Sequence, residues 1–189
     1  MDMVIFDLET TGLSPTVDDI IQIAAVRIRA GRILPTDRFS TFINPGRPVP
    51  EFITSYTGIS DAHVRHAPLP AKAIAQFSRF VGSDTLIAHN AHRFDMPFLN
   101  AACRKSGIKT RSAAYTDSIL LSRKLWPSSR QHSLDAVLAR LKIGKAGRKR
   151  HDARGDVDLL AEAIATMWDR LVPGCGKWPI PLLSGVIAA

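Results

Sequence analysis

The sequence predicts a single α/β domain. Three observations carry this. Three strand-like segments follow one another at the amino end, and short strands then alternate with amphipathic helices. The chain has 189 residues, 46% apolar and 22% charged, which is ordinary globular composition and enough for one well-packed core.

The elements are justified in order. Residues 2–8 centre on the strand-forming run Val4-Ile5-Phe6. The segment DIIQIAAVRIR, 19–29, predicts a second strand, and Gly31 suits a hairpin turn to a third at 37–43, which Asn44-Pro45-Gly46 ends. Short helical turns are expected near 51–56 and 60–65. Residues 68–82 carry apolar groups at helical spacing and stop at Gly82. TLIAH, 85–89, reads as a short buried strand. A helix from about Asp95 to Lys105 follows, with Phe98, Leu99 and Ala102 on its inner face. A short strand at 114–116, a helix at 118–125, a helix capped by Ser133, and a long helix at 153–171 ended by Pro173-Gly174 complete the pattern. The domain is expected to span 1–173. The segment 174–189 is read as an apolar tail, uncharged after Lys177, that packs across the domain, covers a partner or stays disordered.

No apolar run approaches the roughly 18 residues that would span a bilayer. A charged strand begins at once, so no signal peptide and no membrane association are expected. Cys103 and Cys175 sit in no metal-type spacing. A soluble cytoplasmic protein is the expectation. The net charge of +8 points to a polyanionic partner, and its distribution says more. Residues 104–150 hold thirteen of the 25 lysines and arginines, against Asp117 and Asp135 as the only acids. The stretch from Lys142 to Arg150 is either a nucleic-acid contact or a solvated loop.

In VIFDLETTGL, residues 4–13, alternation along a strand points Asp7 and Glu9 the same way. Like charges at that spacing repel, unless both meet water at a strand end or a divalent cation lies between them. Asp95, in LIAHNAHRFDMPFL, and Asp156, in HDARGDVDLL, fall at helix starts, where acids are favoured as caps. His151 precedes Asp156 by five residues; alone it would read as a surface loop histidine. Four acids without a cysteine cluster suit hard cations such as Mg²⁺ or Mn²⁺ rather than a structural zinc.

Taken together, FDLETTGL, HNAHRFDMPFL, HSLDAVLARL and HDARGDVDLL resemble, in order, the motifs of the DnaQ-like 3′–5′ exonuclease superfamily in its histidine-bearing (DEDDh) branch. YTGISDAHVRHAP, 56–68, resembles the segment between the first two motifs, and the resemblance covers about residues 3–170. It implies an RNase H-like fold, a central mixed sheet flanked by helices. It implies that Asp7, Glu9, Asp95 and Asp156 are metal-binding carboxylates for two ions and that His151 is the general base. Thr10, Thr11, Gly12 and Leu13 would lie against the terminal nucleotide, with Leu13 wedged at the last base; Ile59, Asn90 and Phe94 would be further contacts.

The activity so implied is metal-dependent removal of nucleoside 5′-monophosphates from single-stranded or frayed 3′ ends, with DNA preferred. An exoribonuclease, or a proofreading subunit bound to a DNA polymerase, is the alternative, and a homodimer is a further possible assembly. The spacing in HNAHRFD, one residue longer than in many polymerase-associated members, weighs toward the stand-alone three-prime repair exonucleases.

Overall fold

The structure is a computed structural model, and it describes residues 2–144, 147–148, 150–172 and 179–189. Six strands form one sheet: β1 (Met3–Thr10), β2 (Ile20–Arg29), β3 (Arg32–Phe42), β4 (Thr85–Ala88), β5 (Thr110–Asp117) and β6 (Leu183–Ala188). Their order is β3-β2-β1-β4-β5-β6. The β1–β2, β2–β3 and β5–β6 pairs are antiparallel, and β1–β4 and β4–β5 are parallel. The helices are α1 (Glu51–Thr57), α2 (Asp61–Val64), α3 (Pro70–Val81), α4 (Asp95–Lys105), α5 (Ser118–Leu125), α6 (Leu134–Leu141) and α7 (Ala153–Leu171). Among the described residues no helix is long and apolar enough to cross a membrane.

Strand alternation divides the core into two layers. Met3 and Ile5 face one side, where they pack with Val157, Leu160 and Ile164 of α7 and with α5 and α6. Val4, Phe6 and Leu8 face the other, against Phe77 of α3 and Phe98 and Leu99 of α4. The α7-facing row of β1 therefore runs Met3, Ile5, Asp7, Glu9: apolar where α7 covers it, acidic where the strand ends.

Three departures from the sequence expectations have physical causes. Strand β3 begins five residues earlier than expected. Its Pro35 would break a central strand, but β3 is an edge strand, and the pairing shifts register between Val26 and Arg27, so the proline sits where no ladder bond is required. Strand β5 is longer than 114–116 because β6 pairs with it from Thr110↔Ala188 to Tyr115↔Leu183. The third concerns the apolar tail: of the placements open to the segment after 173, Leu183–Ala188 joins the domain, as the sixth strand of its sheet. The expected boundary at 173 and the helix stop at Pro173-Gly174 lie outside the described residues.

Strand β6 fits through Gly185. A β-carbon there would meet the Met96 methyl at 2.5 Å and the Tyr115 ring at 3.1 Å. Replacing Gly185 with valine should therefore lower stability by about 1–3 kcal/mol through overpacking. Urea unfolding followed by circular dichroism checks this, and an unchanged midpoint would show that β6 does not pack on α4.

Candidate active site

The acidic end of β1 is met by α7. Asp156 stands in the first turn of that helix and is 5% exposed. Carboxylate oxygens of Asp7, Glu9 and Asp156 lie within 4.8 Å of one another. Two devices aim α7 at this point. Asp152 caps the helix by accepting from the Arg154 amide at 3.0 Å. Gln22 of β2, 1% exposed, accepts from the Ala153 amide at 2.9 Å. Gln22 lies opposite Glu9, beside a bulge where the β1–β2 register slips between Glu9 and Thr10.

Asp95 arrives from the other layer, as the first residue of α4. It is 1% exposed, and neither carboxylate oxygen makes a hydrogen bond of normal geometry, although the Asp95 and Leu8 amides lie near enough to favour its charge. It falls outside the closest trio, yet its charge acts on Asp7 more strongly than that of Glu9 or Asp156. The four acids thus converge. The expectation that helix-start position alone explains Asp95 does not hold, because a solvated cap would not be buried with its oxygens unpaired.

The electrostatics follow from this crowding. Burial, then Asp95, Glu9 and Asp156, push the Asp7 carboxyl well above the usual range. Burial, then Asp156 and Asp152, raise Glu9 from 4.5 to about 8. Burial foremost raises Asp95, with Asp117 and Glu9 adding to it. Arg150 is the cation that opposes these shifts at Asp7 and Glu9. Its guanidinium is bonded to Asp156 and, at 3.0 and 3.2 Å, to Asp135. Burial works against its charge, but these carboxylates more than compensate and hold its pKa above the ordinary value. Four carboxylates that burden one another, with a single arginine between them, are a donor set that fits hard divalent cations.

His151 has φ +61°, and its amide donates to Asp156 at 3.1 Å. Its ring lies against Tyr56, with centroids 4.0 Å apart. Asn90, also left-handed at φ +69°, donates its amide to Asp117 at 3.0 Å. Asp117 caps α5 and also accepts from the His92 amide, so one carboxylate shapes the turn before Asp95.

The loop after β1 is tied to itself. The Thr10 hydroxyl donates to the Gly12 carbonyl at 2.6 Å, and the Thr11 hydroxyl accepts from the Asp19 amide and Arg47. Gly12 is required here by a close approach, since a β-carbon would sit 2.4 Å from the Asp18 carboxylate. Leu13 projects from the loop at 83% exposure.

Two expected contacts are placed differently. Ile59 is 3% exposed and packs with Ile21, Val49, Ile53 and Val64, so its side chain belongs to a satellite core. Phe94 packs against Phe98 at 4.9 Å. Of the basic stretch, Arg148 pairs with Glu162 and Arg150 with Asp135 and Asp156, while Lys145 and Lys149 lie outside the described residues. Exposed positive charge surrounds the cleft of about 680 Å³ that opens on Asp7 and Asp156, where Arg93, Arg123 and Arg130 line the walls. Gln22, Arg150 and Asp117 were not singled out as site residues by the sequence. Only the scarcity of acids between 104 and 150 marked Asp117 at all.

The family profile RNase_T, described as Exonuclease, matches residues 4–164. The chain belongs to this exonuclease family. A DNA polymerase III subunit epsilon-like protein of Rhodobacter capsulatus is 42% identical over 174 residues, which cover 92% of this chain and 24% of that protein. A PolC-type DNA polymerase III of Bacillus subtilis is 40% identical over 141 residues, 74% of this chain and 10% of that protein. The chain thus spans a quarter or less of these relatives. Among solved structures, exonuclease X in complex with 5′ overhanging duplex DNA aligns with a TM-score of 0.72 and 25% identity, covering 89% of this chain and 92% of that one. The nuclease domain of 3′hExo, a DEDDh family member bound to rAMP, aligns with a TM-score of 0.74 and 22% identity, covering 92% and 93%. The fold of this exonuclease-family chain is RNase H-like, as the motifs implied.

The acid cluster generates a prediction about pH. A folded-state value near 8 for Glu9 means the folded protein holds a proton that the unfolded chain releases. The stability this brings is complete below 4.5 and is lost as pH rises toward about 8. In EDTA, Glu9→Gln should flatten the fall in melting temperature across that window, and Mg²⁺ should restore stability to the unaltered protein at the upper end. Melting curves at stepped pH test this; parallel curves for the two proteins would mean that Glu9 is not strained by its neighbours.

Proposed function

We propose that this chain is a divalent-metal-dependent 3′–5′ exonuclease that releases nucleoside 5′-monophosphates from single-stranded or frayed DNA ends. The observation that carries the reading is the convergence of Asp7, Glu9, Asp95 and Asp156 from three separate segments, beside the loop bearing His151. Asp7, Glu9, Asp95 and Asp156 would hold two Mg²⁺ or Mn²⁺ ions, which supply positive charge to the attacking and leaving oxygens of a phosphodiester.

The chain's own residues would do the rest. Water attacks the terminal phosphorus as His151 accepts its proton, the bond to the preceding 3′ oxygen breaks, and that oxygen takes a proton from solvent to become the new 3′ hydroxyl. Imidazole is the side chain type best suited to exchanging a proton near neutral pH. The positive φ of His151 and the bond from its amide to Asp156 fix where its loop turns back toward the cluster. Thr10, Thr11 and Gly12 would line the end of the strand with backbone groups, and the exposed Leu13 would press on the last base. Asn90 and Arg93, in the cleft wall, would meet the strand behind it. Likeness to polymerase III proteins supports a proofreading role beside a DNA polymerase.

With Mg²⁺ or Mn²⁺, a 5′-labelled DNA strand should shorten in single steps from its 3′ end on a sequencing gel. Asp7→Asn should abolish the ladder, and His151→Ala should slow it by roughly 10²–10⁴-fold. A matched RNA strand run alongside decides between the deoxyribonuclease and exoribonuclease readings. An intact DNA and RNA strand with either metal would overturn the proposal.

A further inference from the structure

Helix α1 turns two aromatic rings to solvent beside the acid cluster. Phe52 is 65% exposed and Tyr56 is 56% exposed. Their spacing of four residues stacks them on one face of the helix. Ile53, about a quarter turn round the helix from Phe52, is buried in the satellite core with Ile21 and Ile59. The apolar surface of the helix is thus only partly covered. A single exposed apolar residue needs no explanation, but an adjacent aromatic pair at the rim of a site does.

The pair is continuous with the site. The Tyr56 ring contacts the His151 ring at 4.0 Å and still keeps more than half of its surface open. The His151 amide in turn donates to Asp156. Of the apolar groups first expected to meet the bases, Leu13 is exposed, while Ile59 lies in the satellite core and Phe94 packs on Phe98.

We propose that Phe52 and Tyr56 form a stacking platform for unpaired bases of a strand entering the site. The inference rests on the nuclease reading above and names what makes that site select unpaired strands. Every base has a π-face, so two rings can hold a strand without reading its sequence. Bases within a duplex are already stacked on each other and cannot offer those faces. The platform therefore favours single-stranded over paired ends, and its partner is a nucleic-acid strand rather than a protein.

The test uses full-length protein carrying Asp7→Asn, with Mg²⁺, and a fluorescein-labelled oligothymidylate read by anisotropy. Adding Phe52→Ala or Tyr56→Ala should weaken binding by roughly 5- to 100-fold each, the range for loss of one base–aromatic stack. Tyr56→Phe should stay within about twofold of the parent. An abasic strand of equal length keeps the phosphates and removes the faces, so parent and alanine variants should bind it alike. In protein with Asp7 intact, KM for strand shortening should rise in the alanine variants more than kcat falls. Both rings are solvent-exposed, and unchanged melting temperatures confirm that the variants fold. Undiminished oligothymidylate binding by both alanine variants would overturn the platform and leave the face to a protein contact. So would equal losses on the abasic strand, or no saturable binding by the parent. Failure of the nuclease reading is a different result: unaltered protein that leaves every strand intact.

Discussion

Asp7, Glu9 and Asp156 repel one another within 4.8 Å, with Asp95 adding its charge from α4. Much of the surrounding architecture consists of contacts that hold these groups together against that repulsion. The β1–β4–β5 parallel core puts the carboxyl end of β1 beside the turn into α4. The Met3–Ile5 row gives α7 an apolar seat, so that its first turn falls over Asp7 and Glu9. Gln22 and Asp152 then fix the start of that helix. Apolar burial contributes the free energy, and the acids are carried along at the end of elements that would pack without them.

Arg150 shows how the fold tolerates this arrangement. An isolated buried carboxylate is costly, and Arg150, hydrogen-bonded to the buried Asp156 and to the exposed Asp135, offsets part of the cost. The guanidinium bridges Asp156 to Asp135 of α6, so the residue before His151 anchors its loop to the body of the domain. The basic stretch that suggested a nucleic-acid contact is thus partly an internal counter-charge, and the exposed arginines of the cleft wall lie elsewhere in the sequence.

Much of the site was legible because its signals are local. A carboxylate pair two residues apart on a strand, a histidine five residues before an aspartate at a helix start, and a glycine after paired threonines each show in a short window. The close approach at Gly12 is made by Asp18, a residue of the same loop. Two of the expected nucleotide contacts, Ile59 and Phe94, pack against neighbours instead. Nothing local distinguishes Ile59, whose neighbours in space are Ile21 and Val49, from an exposed isoleucine. Phe94 lies four residues before Phe98, and helical packing joined the two rings.

Alternation and helical spacing in the sequence alone determined the elements from β1 to α7 and put Asp7 and Glu9 on one face of a strand. Those patterns depend on residues a few positions apart, and so they survive without knowledge of the fold. Only the tertiary structure decided that Leu183–Ala188 closes the sheet against β5, that Gln22 reaches Ala153, and that Tyr56 meets the ring of His151. Each of these joins segments about seventy to 130 residues apart, where the stabilisation comes from a matching surface elsewhere in the chain and leaves no periodic trace in either segment.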